Sequence, residues 1–340
     1  MVSIQNHLHT PWFRLFLLLT MAQFLFVTCH NSPEIPNHHA LAIISHYVTL
    51  NEGTHTVIPY QVNLMALNLL QKEGSTIANS QQNIGHDTII NECQLYIQWV
   101  LNHTNPSDTH GLTDTIHNYE VDPAGKEHFL KDAEPIDRTA ATFILLVQRF
   151  YHVTGYRQMI SQARQKIQNI AYHIPHLQDE QDGLIRILPV GNRKLLENNC
   201  WDYAAMDAFI QLATEFGWGN VSFYQEVRDE LKAAILEEFY RPNHHQFYWR
   251  KDGSDQNAQQ FASDWNTFYP DSYAQLFPLL FNLIPPDDLE IGTQIWAKFC
   301  SLYRDKLNKQ GKTYTDVLQR IVFQWAVRVM EQRDINQTGG

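Results

Sequence analysis

What most constrains this chain is a series of apolar stripes at helical spacing, recurring from residue 58 almost to the end and interrupted by long polar loops. Residues 58–72 begin with Pro59 in the first turn, where its missing N–H costs nothing, and carry Val62, Met65, Ala66, Leu69 and Leu70 on one face. Residues 87–102 follow an Asp87 cap and align Ile89, Ile90, Cys93, Ile97, Val100 and Leu101. The pattern returns over 137–154, where Gly155 supplies the stop, and over 157–174, where Pro175 does. Further helices are expected at about 200–216, from a Ser222/Gln225 capping box through Ile235, and at 271–282, 288–306 and 315–331. Between them, 176–195 looks extended, with a turn at Asp182-Gly183 and a strand over 184–188. Residues 245–250 and Asp252-Gly253 suggest a second short hairpin.

Two architectures use helices in this way. A solenoid repeats consensus positions every 34 to 47 residues, roughly, and no such repeat is present. A toroid nests inner and outer helices and gathers its long connections on one rim. The irregular loops at 103–135, 176–198 and 241–270 fit that second plan. The expected fold is therefore all-α, an (α/α)6-type toroid of paired helices with long rim loops and one or two short β-hairpins, occupying 40–335 as one domain.

Ahead of it, Arg14 precedes an apolar run from Leu15 to Val27 that suits a signal-peptide core and is short for a membrane span. Residues 1–29 are read as a signal peptide and 30–39 as a tether. Leu25-Phe26-Val27-Thr28-Cys29 loosely resembles a lipoprotein cleavage site, so a lipid anchor at Cys29 and plain secretion both stay open, and the chain is expected to be exported, periplasmic, secreted or lipid-anchored. Any membrane attachment is expected only through that N-terminal anchor. The net charge of −11 argues against nucleic acid, which needs a basic face to displace counterions. Cys93, Cys200 and Cys300 make neither a disulfide framework nor a zinc site; one bridge or three buried thiols are the alternatives. No metal or cofactor is expected, and the oxygen-rich set Asn105, Asp108 and Asp114 matches no calcium loop.

Chemistry concentrates where loops enter helices. The loop 102–120 is dense in Asn, His, Asp and Tyr, and offers Asp114 as a carboxylate with His117 and Tyr119 as hydroxyl-binding groups. Asp137 stands at the start of the next helix, where a carboxylate is held rigidly and gains from the helix dipole; it could equally be a plain N-cap. Arg138 beside it is an available ion-pair partner. Asn198-Asn199-Cys200-Trp201-Asp202-Tyr203 pairs Asp202 with two rings, Trp201 and Tyr203, on which a sugar could stack. The segment 263–278 repeats the theme with Trp265, Tyr269 and Asp271. Asp137, Asp202, Asp271 and Asp114 are thus the candidate catalytic acids, and Trp201, Tyr203, Trp265, Tyr269, His117 and Tyr119 the candidate substrate contacts. Each also has an ordinary structural role available, as core ring, cap or turn former.

With its paired helices and acidic, aromatic rim loops, most visibly at Asp137–Phe143 and Tyr269–Pro278, the chain resembles the six-hairpin glycosidase superfamily over roughly 40–330. That resemblance implies an oligo- or polysaccharide partner and a glycoside hydrolase using two carboxyls, one donating a proton and the other activating water or attacking the sugar. A non-catalytic glycan-binding protein of the same fold is an alternative. So is a lyase or epimerase using His or Tyr, for which His244-His245 and Arg186 are the residues to watch.

Overall fold

The computed structural model describes residues 55–76, 84–121, 126–132, 135–255, 257–285, 290–308 and 314–338. The stretches expected as signal peptide (1–29) and tether (30–39) lie outside the described residues. The helices are α1 (Pro59–Thr76), α2 (Ile84–Asn102), α3 (Ile136–Thr154), α4 (Arg157–Gln162), α5 (Arg164–Leu177), α6 (Leu196–Glu215), α7 (Val221–Ala234), α8 (Leu276–Leu280), α9 (Glu290–Asn308) and α10 (Tyr314–Thr338). Strands β1 (His55–Val57), β2 (His117–Val121) and β3 (Glu127–Asp132) form one antiparallel sheet. In a second, β6 (Gln246–Asp252) pairs with β4 (Arg193–Leu195), β5 (Tyr240–Arg241) and β7 (Gln259–Ala262).

The helices close a ring. α1 packs on α3, α3 on α6, α6 on α8, α8 on α10, and α10 returns to α1, while α2, α5, α7 and α9 sit against this circle from outside. The sequence explains the division. α6 is buried on every side from Leu196 to Ile210 and spaces its large residues with Ala204, Ala205 and Ala208, which let neighbouring helices approach. α7, by contrast, buries only Tyr224, Val227, Leu231 and Ala234, a single stripe with charge on the far face. At the hub, the Trp201 ring of α6 meets Phe277 of α8, Phe281 just beyond it and Trp325 of α10 at 5.7, 5.0 and 6.2 Å between ring centres. The fold is the (α/α) toroid that the stripes implied.

Several local expectations give way to tertiary structure. α2 starts at Ile84, so Asp87 lies in its first turn and is no cap. α3 is preceded by Pro135 without a side-chain cap, which leaves Asp137 inside the helix and buried. Gly155 does end α3, in the left-handed region (φ 67°), donating its N–H to the Tyr151 carbonyl at 2.7 Å. The helix expected over 157–174 breaks at Ala163, and Pro175 falls inside the last turn of α5. Asn220, with no side-chain cap bond, precedes α7, so Ser222 is not a cap. Residues 184–188 contribute only an isolated bridge from Ile185 to Gln178; the strand forms instead at Arg193–Leu195, where β6 offers a partner edge. The helix expected over 271–282 is a π-type turn at Phe268–Ser272 followed by α8. Cys93, Cys200 and Cys300 form no disulfide among the described residues, and the first two are buried. Among the described residues, no helix is long and apolar enough to cross a membrane.

Candidate functional site

The first turns of three inner helices meet at one end of the ring. Tyr60 is the second residue of α1, Asp137 and Arg138 the second and third of α3, and Glu197 the second of α6, while Tyr269 and Tyr273 lie on the approach to α8. The Arg138 Nη2 is 2.6 Å from Glu197 Oε1, and its guanidinium lies 4.5 Å from the centre of the Tyr60 ring. Tyr269 and Tyr273 stand 5.8 Å apart. Glu197 is buried and Tyr269 is 48% exposed, so the group has an inner charged pair and an outer aromatic lip. Burial raises the Glu197 carboxyl above the usual range, and Arg138 partly reverses the effect. The Glu197 charge, then burial, pushes the Tyr269 phenol up, with Arg138 opposing.

Directly beneath lies a second acidic layer. Asn198 donates its Nδ2 to both oxygens of Asp137, at 3.1 and 3.0 Å. Asp202 follows Asn198 by one turn and so shares its face of α6. Asp137 and Asp202 are both fully buried, and neither oxygen of Asp202 has a hydrogen-bond partner. Burial raises the Asp137 carboxyl to about 7 against the pull of Asn198 and the Arg138 amide. Burial, reinforced by the negative charge of Asp137, holds Asp202 well above the carboxylate range. Two sealed acids of this kind are held neutral, or share a proton.

Of the four candidate acids, the structure thus brings Asp137 and Asp202 together and puts the other two to work holding loops. Asp114, at φ 60°, accepts from Thr104 Oγ1 at 2.8 Å and from Asn169 Nδ2 at 2.7 Å, tying its loop to α5. Asp271 accepts from the hydroxyls of Ser263 and Ser272 at 3.2 and 2.9 Å and from the Asp264 amide at 3.2 Å, fixing the turn before α8. Among the candidate contacts, Trp201 is the hub of the core. Trp265 is buried and donates its indole N–H to Gln246 at 2.6 Å. Tyr203 is buried near Asp207 and Arg228, its phenol pushed up to about 12 by burial first. His117 faces Asp132 at 3.2 Å, and Tyr119 donates its hydroxyl to the His103 carbonyl at 3.0 Å, so both build the small sheet. Only Tyr269 reaches the exposed lip.

Arg138 pairs with Glu197 and not with its neighbour Asp137, because successive residues of a helix point about 100° apart. Glu197, Tyr60 and Tyr273 were not among the candidates. The available signal was positional: Glu197 occupies in α6 the place that Asp137 holds in α3, and it was obscured because that helix was expected to start at 200. His244 and His245 are exposed on a short turn after β5, and Arg186 Nε donates to the Leu177 carbonyl at 3.3 Å, away from Arg138 and Glu197. Among the described residues, no group of three or more His, Cys, Asp or Glu side chains is arranged to hold a metal ion.

No family model matches the sequence, and no curated protein does. Solved structures do resemble it in fold. A family 76 glycoside hydrolase from a bovine Bacteroides thetaiotaomicron strain is 12% identical, with a TM-score of 0.54 over 87% of this chain and 66% of that one. A sugar epimerase from a ruminal bacterium is 10% identical, with a TM-score of 0.51 over 73% and 60%. The chain therefore spans only 60% and 66% of those two proteins. At such identities the likeness is one of fold alone, an (α/α) toroid.

Proposed function

We propose that this protein is a carbohydrate-active enzyme that hydrolyses a glycosidic bond at the Arg138–Glu197 floor, on an exported or periplasmic glycan. The observation that carries the reading is the Glu197 carboxyl, buried at a helix N-terminus, 2.6 Å from a guanidinium and beside an exposed tyrosine. A carboxyl whose pKa is raised by burial is suited to donate a proton to a leaving oxygen, and Arg138 stabilises the carboxylate left behind until water reprotonates it. Asp137, carried on the same turn as Arg138 but sealed with Asp202 behind the pair, tunes the charge at the floor and does not itself meet the sugar. Tyr269 gives a sugar ring a face to rest on.

A second reading rests on the three phenols around one guanidinium. Elimination or epimerisation uses a tyrosine to move a proton and a cation to hold the resulting negative charge, and Tyr60, Tyr269 and Tyr273 around Arg138 offer both. A screen of glycans that detects new reducing ends and unsaturated products separates the two. Under the hydrolytic reading, Glu197→Gln lowers turnover by about 10²–10⁴-fold while the variant still binds substrate. Unchanged turnover in Glu197→Gln removes that carboxyl from the mechanism, and unsaturated products with no new reducing ends of the saturated kind transfer the site to elimination. Binding without turnover of any glycan leaves a lectin-like protein.

A further inference from the structure

A second recess of about 650 Å³ lies between the last turns of α5, the turn at 178–186 and Glu230 of α7. It shares no residue with the Arg138–Glu197 floor. Tyr172, which lines it, is 50% exposed; Phe223, on α7, is 40% exposed. Their ring centres are 6.5 Å apart with planes 31° from parallel, and the His176 ring lies 6.2 Å from Tyr172. Two large rings left open to water, their planes tilted by 31°, make an apolar ledge beside a polar recess.

The walls of the recess are rich in directional hydrogen-bonding groups and carry a small negative excess, Glu180 and Glu230 against Arg186. Gln181 and Glu180 are exposed, Glu230 faces them, and Arg186 is the guanidinium among them. Asp179 also lines it, but Lys194 neutralises that carboxylate at 2.8 Å. Such a lining repels anions and offers no strong net charge to a cation, yet it can satisfy many hydroxyls. Its floor is rigid as well. Asp179 donates its amide to the Leu184 carbonyl at 2.8 Å, Gly183 donates to Asp179 at 2.8 Å, and Gln178 Nε2 donates to the Gly183 carbonyl at 3.0 Å. A ligand therefore meets a site already shaped, with little ordering left to do. The size and mixture of rings and polar groups are those of a small-ligand pocket.

We propose that this recess and the Tyr172–Phe223 ledge form a second glycan site, one that holds a neutral stretch of polysaccharide outside the catalytic cleft. The class of ligand rests on the carbohydrate reading given above; the site itself does not depend on which chemistry the cleft performs. Its function is to keep a polymer on the enzyme between encounters of the cleft with successive bonds, so it matters for long substrates and not for short ones.

The test uses the full chain, with Tyr172→Ala, Phe223→Ala and, as a ring-retaining control, Tyr172→Phe. Retention is measured by affinity electrophoresis in gels containing a soluble mannan, xylan or β-glucan, alongside turnover of short oligosaccharides from the same polymers. Each alanine variant is expected to weaken polymer retention by about tenfold, the scale set by removing one ring's apolar contact, while Tyr172→Phe retains it and oligosaccharide turnover stays at the wild-type rate. Retention unchanged in both alanine variants overturns the site even if the enzyme is active. So does a wild type that no neutral polymer retains, or a loss seen only with a lysine- and arginine-rich peptide. Retention that falls on a chain with no turnover supports the site while refuting the hydrolytic reading.

Discussion

Asp202 is a carboxyl with no donor for either oxygen, and the nearest charge it senses is another carboxylate. Its neighbour Asp137 has Asn198 for company but is equally sealed. Both have folded-state pKa values above the unfolded one. The stability of the pair in its protonated form is therefore fully present below the ordinary aspartate value of 3.8 and is lost as pH rises through about 7. Because the two titrate together, the proton belongs to the pair and the loss is shared. The Asp202→Asn variant keeps the shape and removes one ionisable group. Relative to wild type it is expected to gain stability with rising pH, by about 1–3 kcal/mol between pH 5 and pH 8, read from urea unfolding at each pH. A difference between the two proteins that stays flat across that range contradicts the account. At Arg138 the expectation is different in kind: Arg138→Met strands a buried Glu197 without its counter-charge and costs roughly 3–5 kcal/mol, whereas the double change with Glu197→Gln recovers much of it.

Among the elements, the strand β4 and its partner β6 are fastened to the turn at 178–183 by two buried amines. Lys194 Nζ lies 2.8 Å from both Asp179 and Asp182, and Lys251 Nζ lies 2.8 Å from Asp182 and 2.6 Å from Glu238. Asp182 serves both lysines, so Asp182→Asn is expected to destabilise by about 3–5 kcal/mol in urea titrations; a loss below about 1 kcal/mol would place the network among ordinary surface pairs. This staple was invisible in the sequence, because β4 and β6 are far apart in the chain and the acids that hold the two lysines, Asp179, Asp182 and Glu238, lie 12 or more residues from them. The helices themselves were legible. The stripe of Ala140, Phe143, Ile144 and Val147 and the stop at Gly155 define α3 almost to the residue, since burial and a left-handed cap are local facts. The acids were legible as residues and not as roles. Asp114 and Asp271 carry the same loop-to-helix signature as Asp137, and only the fold shows that hydroxyl, amide and backbone donors have already claimed them. Glu197 illustrates the reverse case: a four-residue difference in where α6 begins decides whether a carboxylate belongs to a loop or to the first turn of an inner helix, against Arg138.

For the molecule as a whole, closure of the ring matters more than any one helix. Trp201 touches α8 and α10 from α6, so it couples three of the inner helices, and the return of α10 to α1 completes the circle. Trp201→Ala is expected to cost about 3–5 kcal/mol and to broaden or split the thermal transition, because the last two inner helices lose their common anchor. A sharp transition shifted by less than about 2 °C would mean that the ring is held elsewhere. Several loops between the helices, finally, have committed their carboxylates to bracing the fold. Asp108 accepts from the amides of His110 and Leu112, Asp114 from Thr104 and Asn169, Asp264 from the amides of Asn266 and Thr267, and Asp271 from Ser263 and Ser272. Loops braced in this way are held in one shape, so under the proposed carbohydrate reading the site needs no rearrangement to admit a sugar. Mixing experiments should then record association as one exponential whose rate climbs in a straight line with glycan concentration, with no plateau set by a slow rearrangement of the protein.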